Sequence, residues 1–533
     1  MQLDEGFWMR WSDDYGGSFS GGRVVIPVRR TDIDHRNPWQ GRTIGAFCCD
    51  KPQVIDGRVF FAFQKTPDGN GESYGSEVFL MRSNDLVSLA REGRMAEATW
   101  ETLPKGERGL QTCRGLLLGE EPHVLQISGS RLLCFWRNEL GFLDSRYSGD
   151  YGETWSSEAL LPLTYTLGKE GVEGEEREEG SNAELQQNSL QYLASQEYQR
   201  VVVQDHSVIR NPRGAITPHV TRDGHIALLF YNNGHTERVG YTGRLLIWLV
   251  LGRVEGGGIV WSQPEVVLWW DGVQLGDRED WNEDWAIVDG AGYHDIQELP
   301  DGKLAFVESN KLTVRYHKIS TGLLDGLRAQ LGSSIERPDL SDLVLCREES
   351  GVFRAPVLPD LRAGGGFSLV CWLNTRQIQE GKGRRSLVRG LSTVSGALDE
   401  EAAEDVTKGY EIFLSEENVL ELTVTDGFSS KFNFSLFSLT SGDCQDLQEW
   451  YGTSERVMVA FILDGGPKIV SCVINQKLYN VAPCGWKFLP REFGEIGGSN
   501  VEVVEQRGVA RLMVIEKAIT TSQAVQLYRH YAQ

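Results

Sequence analysis

Four hairpin-like stretches of this chain open and close on side chains that can carry charge or move protons. Asp50 and Lys51 lead the first. Glu120, Glu121 and His123 lead the second, which ends at Arg137. Arg210 and Arg213 lead the third, which ends at Asn232, Asn233 and His235. Tyr293, His294 and Asp295 lead the fourth, which ends at Glu308 and Lys311. Carboxyl and imidazole groups transfer protons, guanidinium and ammonium groups neutralise carboxylates, and amides grip hydroxyls. Together they suit a pocket that holds an anionic or polyhydroxylated sugar and does acid/base work on it. Any one of them alone is equally a strand-end ion pair or turn cap. Their recurrence at equivalent points of four hairpins is what argues for a shared site. The nine cysteines show no Cys-x-x-Cys or Cys/His metal spacing, so neither a metal nor another cofactor is expected.

Bringing such residues together takes short strands and tight turns. Glu121 to Ile127 alternates as a strand, Ser128-Gly129-Ser130 turns, and Arg131 to Arg137 returns with Cys134, Phe135 and Trp136 as its apolar body. Phe142 to Tyr147 makes a third strand. In the following Ser148-Gly149-Asp150-Tyr151-Gly152-Glu153-Thr154-Trp155, Ser148 and Asp150 can tie turn amides. Gly152 supplies a positive φ, and Trp155 packs back under the hairpin. A second copy stands at Ser12-Asp13-Asp14-Tyr15-Gly16-Gly17-Ser18-Phe19. The other hairpins turn at Asp56-Gly57, Asp223-Gly224 and Asp301-Gly302.

The Ser-x-Asp-x-Gly-x-Thr-Trp pattern resembles the Asp box of sialidases, and with the Asp-Gly hairpins the likeness spans roughly residues 7 to 319. It implies a five- or six-bladed sialidase-type β-propeller, in which inner strands converge on one axis and gather polar strand ends into one pocket. The family uses three arginines for the substrate carboxylate, a tyrosine paired with a glutamate as nucleophile, and an aspartate as acid/base. The resemblance implies Tyr293 with Glu308 as nucleophile pair and Asp50 as acid, with His294 and Asp295 beside them. Lys51, Glu121, Arg137, Arg213, Asn233, His235 and Lys311 would bind substrate. The family's Arg-Ile-Pro motif has no match, since Val25-Ile26-Pro27 lacks the arginine. That departure bears on sialic acid more than on carbohydrate chemistry. Two other classes stay open. A polysaccharide lyase would use His123, His235 or His294 as base, with Arg137 or Lys51 neutralising a uronate. A binding protein would use its second domain as a lectin.

The whole chain is expected to be all-β. It has 533 residues, 60 of them glycine, with 40% hydrophobic and 10% aromatic residues, as befits a turn-rich globular protein of more than one domain. A net charge of −22 argues against nucleic acid as a partner, and the resemblance implies a glycan. No apolar run is long enough to span a bilayer. The first residues lack the succession of a signal peptide, although the resemblance implies a secreted or extracytoplasmic protein. The propeller is expected over 1–325, with an acidic insertion at 168–204, and a linker over 326–350. Residues 351–533, with GFSLVCWL, VAFILDGG and a closing helix capped by Thr521 or Ser522, resemble a laminin-G-like, concanavalin-type jelly roll.

Overall fold

The structure, a computed structural model, describes residues 2–532 apart from 68–74, 113–118, 139–140, 142, 157–208, 213, 234–245, 256–257, 270–291, 310–313, 333–340, 348–350, 355–357, 380–382, 395–405, 417–418, 428–430, 439–455, 481–484, 491–492, 495, 497–499 and 506–507. The insertion at 168–204 thus lies outside the described residues, as do Arg213, His235 and Lys311. What is described is mostly β, and the strands pair antiparallel. It falls into two compact units. The first comprises the described parts of Met1–Val203, Val208–Trp261 and Gln274–Lys318; the second, those of Ser262–Val273 and Ile319–Gln533.

The sheets of the first unit are built from antiparallel hairpins. Arg58–Lys65 pairs with Ile44–Phe47 and Gln53–Ile55 on one side and with Glu77–Ser83 on the other, and Glu101–Leu103 follows. Arg131–Arg137 lies between Glu120–Ser128 and Leu143–Ser148. Ile226–Phe230 lies between Thr217–Val220 and Leu246–Glu255, and Leu304–Ser309 between Tyr293–Glu298 and Val314–Lys318. Successive strand residues point to opposite faces, so a strand buried on both sides feeds two cores. Phe60 and Ala62 join Val124, Leu132, Cys134 and Trp136 of the next sheet. Phe61 and Phe63 join Ile33, Phe79 and Met81 on the other face. This stacking sets the end of Arg58–Lys65 beside the start of Glu120–Ser128.

The two Ser-x-Asp-x-Gly turns close with the same hydrogen bonds. Ser148 Oγ donates to Asp150 Oδ1 at 2.8 Å and accepts from Gly152 N at 2.8 Å. Asp150 accepts from Thr154 N at 2.9 Å and from Thr154 Oγ1 at 2.6 Å. Ser12, Asp14, Gly16 and Ser18 repeat the pattern at 2.7–2.8 Å. Gly152 and Gly16 sit at φ of 84° and 89°, a conformation that favours glycine.

In the second unit, sheets of seven and six strands among the described residues share one apolar core. Leu369, Cys371 and Phe461 of the first meet Val388, Ile412, Leu422 and Phe434 of the second. The helices Thr321–Leu331 and Thr521–Tyr531 accompany them. Thr321–Leu331, in the stretch read from sequence as the end of the first domain and the start of a linker, belongs here. Arg529 of the helix Thr521–Tyr531 donates to its last-turn carbonyls Ala329 O and Gln330 O at 3.0 and 2.8 Å. The closing helix is capped by Thr520, one residue before the expected position. Thr521 N and Ser522 N donate instead to the buried carboxylate of Glu265, at 3.0 and 2.6 Å. No helix among the described residues is long and apolar enough to cross a membrane.

Hydrogen bonds from Ser12 and then Ser18 hold the Asp14 carboxyl down at about 2. Partial burial opposes the same shift at Asp150, but the bonds from Thr154 and Ser148 still lower it. A carboxyl depressed in the fold stabilises it above the unfolded pKa, and that contribution is lost as the pH falls through the folded one. Asp150→Ala is therefore expected to cost about 1–2 kcal/mol in urea unfolding at neutral pH. The deficit should shrink on acidification below the usual carboxylate range; a deficit constant across that range would contradict this account of the turn.

Candidate functional site

A cavity of about 610 Å³ opens in the first unit where four segments meet. The loop after Ile44–Phe47 contributes Asp50 and Lys51, and the start of Glu120–Ser128 contributes Glu121 and His123. Thr217–Val220 contributes Thr217 and His219, and the start of Tyr293–Glu298 contributes Tyr293, His294 and Asp295.

Glu121 owes its position to an interruption of its strand. The register shifts between Phe135, opposite His123, and Arg137, opposite Glu120, while Glu121 takes a left-handed φ of 50°. Pro122 has no N–H to give the ladder, which favours a break at this point. Glu121 N donates out of the strand to Gln64 Oε1 at 2.5 Å. The break lets one guanidinium serve two consecutive carboxylates: Arg137 Nη2 lies 3.1 Å from Glu120 Oε2, and Nη1 lies 3.0 Å from Glu121 Oε2. All three side chains are buried.

The other oxygen of Glu121 faces the cavity, where the Tyr293 hydroxyl donates to Oε1 at 2.6 Å. Desolvation of the phenol, then the Glu121 charge and this bond, push Tyr293 well above the usual phenol range, with Arg137 opposing. At neutral pH it is a neutral phenol, bonded to a carboxylate that can accept its proton.

The sequence pairing of Tyr293 with Glu308 is corrected by register. Tyr293 lies opposite Ser309 and His294 opposite Glu308, so Glu308 points to the other face from the phenol. It is buried there, with Arg315 Nε at 3.0 Å. Asp50 differs from the expected acid as well, because both of its oxygens are occupied. Oδ1 accepts from Lys51 N at 3.0 Å and faces His123 Nδ1 at 3.1 Å, and Oδ2 accepts from Ala62 N at 2.8 Å and Val124 N at 3.2 Å. Its side chain is 2% exposed.

Lys51 pairs with Asp295 and donates to Ile296 O at 3.1 Å, which makes it the ammonium of the cavity wall. His294 is packed between Thr217, whose hydroxyl lies 2.9 Å from Nδ1, and the Tyr231 ring. Asn233 and Arg210 are buried and do not line the cavity. His219, overlooked in the sequence, is held below the usual imidazole range by burial and then by Lys51, so it is neutral at neutral pH. Its signal was the alternation of Thr217 and His219 on one strand face. Among the described lining residues the fixed cation is Lys51, with no arginine. No group of three or more potential metal-ligating side chains occurs among the described residues.

No family model and no curated protein sequence matches this chain. Solved structures that resemble it include a sialidase of Trypanosoma rangeli in complex with 2,3-difluorosialic acid. It is 14% identical, covers 98% of this chain and 76% of its own, and has a TM-score of 0.32. The intramolecular trans-sialidase from Ruminococcus gnavus, in complex with oseltamivir carboxylate, is 15% identical over 59% of this chain and 50% of its own, with a TM-score of 0.31. A leech intramolecular trans-sialidase complexed with 2,7-anhydro-Neu5Ac is 15% identical over 60% of this chain and 37% of its own, at 0.33. Likeness at this level is too slight to carry residue roles across.

Removing one member of a buried ion pair leaves an uncompensated charge. Arg137→Met is accordingly expected to lower stability by about 3–5 kcal/mol in denaturant titration, and adding Glu120→Gln to it should restore part of the loss. A single variant as stable as the parent would contradict the pairing described.

Proposed function

We propose that this protein is a retaining exo-glycosidase of sialidase type, acting on an acidic or terminal sugar of a glycan. In this reading Tyr293 is the nucleophile and Glu121 its base. The observation that carries it is the 2.6 Å bond between a neutral phenol and a carboxylate on the wall of a cavity large enough for a sugar. A neutral phenol attacks an anomeric carbon without bringing a full negative charge towards an anionic sugar. Glu121, braced by Arg137, takes its proton as the bond forms. Lys51 offers a charge for an acidic substituent.

The first unit is read as a β-propeller of five or six blades. Its stacked hairpins and the two identical Ser-x-Asp-x-Gly turns support this. The second is read as a laminin-G-like jelly roll that serves as an accessory, glycan-binding module, which its two sheets around one core support. The protein would work outside the cytoplasm, as the sequence resemblance implies. His123 on the cavity wall favours the lyase as second reading, with its imidazole taking a proton α to a uronate carboxylate.

A panel of aryl and natural glycosides and uronate-containing polysaccharides tests the proposal. Hydrolysis is expected, with Tyr293→Phe and Glu121→Gln each lowering kcat on the order of 10²-fold or more while the melting temperature stays close to the parent's. A product absorbing in the ultraviolet, as an unsaturated uronide does, would establish the lyase instead. Turnover unchanged in both variants would end the glycosidase assignment.

A further inference from the structure

We infer that His123 is the proton-transfer residue of this site, serving as acid to the leaving group and as base to water, and that Asp50 is the positioning residue that orients it. The inference rests on the glycosidase reading and names the group that reading leaves open.

A retaining glycosidase needs, beside its nucleophile, a group that protonates the leaving oxygen and then deprotonates water. Asp50 cannot fill that role where it stands. Two buried strand amides, Ala62 N and Val124 N, donate to Oδ2, and Lys51 N donates to Oδ1. Swinging the carboxyl towards a sugar would orphan them and detach its loop from both strands. What remains to Oδ1 is His123 Nδ1 at 3.1 Å. A carboxylate only accepts, so Nδ1 carries the proton and Nε2 becomes the working nitrogen. The ring is braced on Phe135, with centroids 5.9 Å apart, and lines the same cavity as Glu121 and Tyr293. Among the described residues no protein group is bonded to Nε2. Of the other proton carriers of the wall, Asp295 is paired with Lys51, His294 holds Thr217 through Nδ1, and His219 is kept neutral by burial and then by Lys51.

The chemistry balances as two displacements. In the first, Tyr293 Oη bonds to the anomeric carbon and its proton goes to Glu121. The bond to the leaving oxygen breaks with its electron pair, and that oxygen takes the Nε2 proton of the His123 imidazolium. In the second, neutral Nε2 takes a proton from water as the water oxygen bonds to the anomeric carbon. The bond to Oη breaks with its pair, and the phenol recovers its proton from Glu121. Both residues end as they began. Asp50 stabilises the imidazolium that enters the first step and is restored in the second.

The test compares leaving groups, because a dinitrophenolate departs without protonation and an alkoxide does not. With His123→Gln in the full-length chain, turnover of an alkyl glycoside is expected to fall about 10²-fold or more. A dinitrophenyl glycoside of the same sugar should give a burst near one equivalent of dinitrophenolate, then slow turnover as the Tyr293 adduct waits for a base. Imidazole should speed that slow phase in His123→Gly. Asp50→Asn, which keeps the imidazole, should shift the alkyl-to-aryl ratio in the same direction by less, through kcat rather than KM. Equal losses on both substrates, with no burst and no rescue, would reduce His123 to packing and overturn the inference while leaving the glycosidase reading intact. A wild-type enzyme that hydrolyses neither glycoside, nor any other on the panel, would overturn both.

Discussion

Arg137 holds two carboxylates that the chain sets side by side, and the cavity depends on that clamp. Glu120 and Glu121 are buried, and without the guanidinium their charges would repel each other in a place where water cannot screen them. With it, one oxygen of Glu121 is spent on Arg137 and the other is aimed at Tyr293. The cost is a broken ladder at Glu121 and a strained φ there. Two sheets thereby acquire a contact that joins residues far apart in sequence.

The opposite wall is fixed by the other carboxylate. Asp50 takes one backbone amide from each of two strands and one from its own loop, so the loop has little freedom and His123 little choice of orientation. The sequence reading made Asp50 the acid and Glu121 a substrate ligand, and their surroundings suit them to other tasks. Glu121 meets a phenol and can accept its proton, while Asp50 is saturated and can only orient. The chain carries a net charge of −22, and the cavity wall sets Lys51 among Asp50, Glu121 and Asp295, with three histidines beside them.

The strands and turns of the first unit were legible because alternation and Asp-Gly turns are local signals. Leu143–Ser148 and the turn at Ser148 to Trp155 lie where the pattern puts them. Facing was harder to read. Glu308 ends a strand as a site residue should, but a shift of one position decides whether it meets Tyr293 or Arg315, and composition does not record that parity. The role of Asp50 depended on two strand amides left for it to accept, which only the folded chain shows. In the second unit, Arg385–Val394 was missed because Gly390 interrupts its pattern. A Cβ at Gly390 would lie 2.5 Å from the Tyr410 ring, so the gap in the pattern is the space for an aromatic side chain. The cap of the last helix was misplaced by one residue because Glu265, distant in sequence, claims Thr521 and Ser522.

The central claim, a tyrosine nucleophile working through Glu121, is tested most directly by the anomeric configuration of the sugar at the moment of release. Proton NMR of the first product formed from a glycoside of known configuration reads it before mutarotation. Two displacements at one carbon predict retention. Inversion would mean that water attacks directly and that Tyr293 does not bond to the sugar.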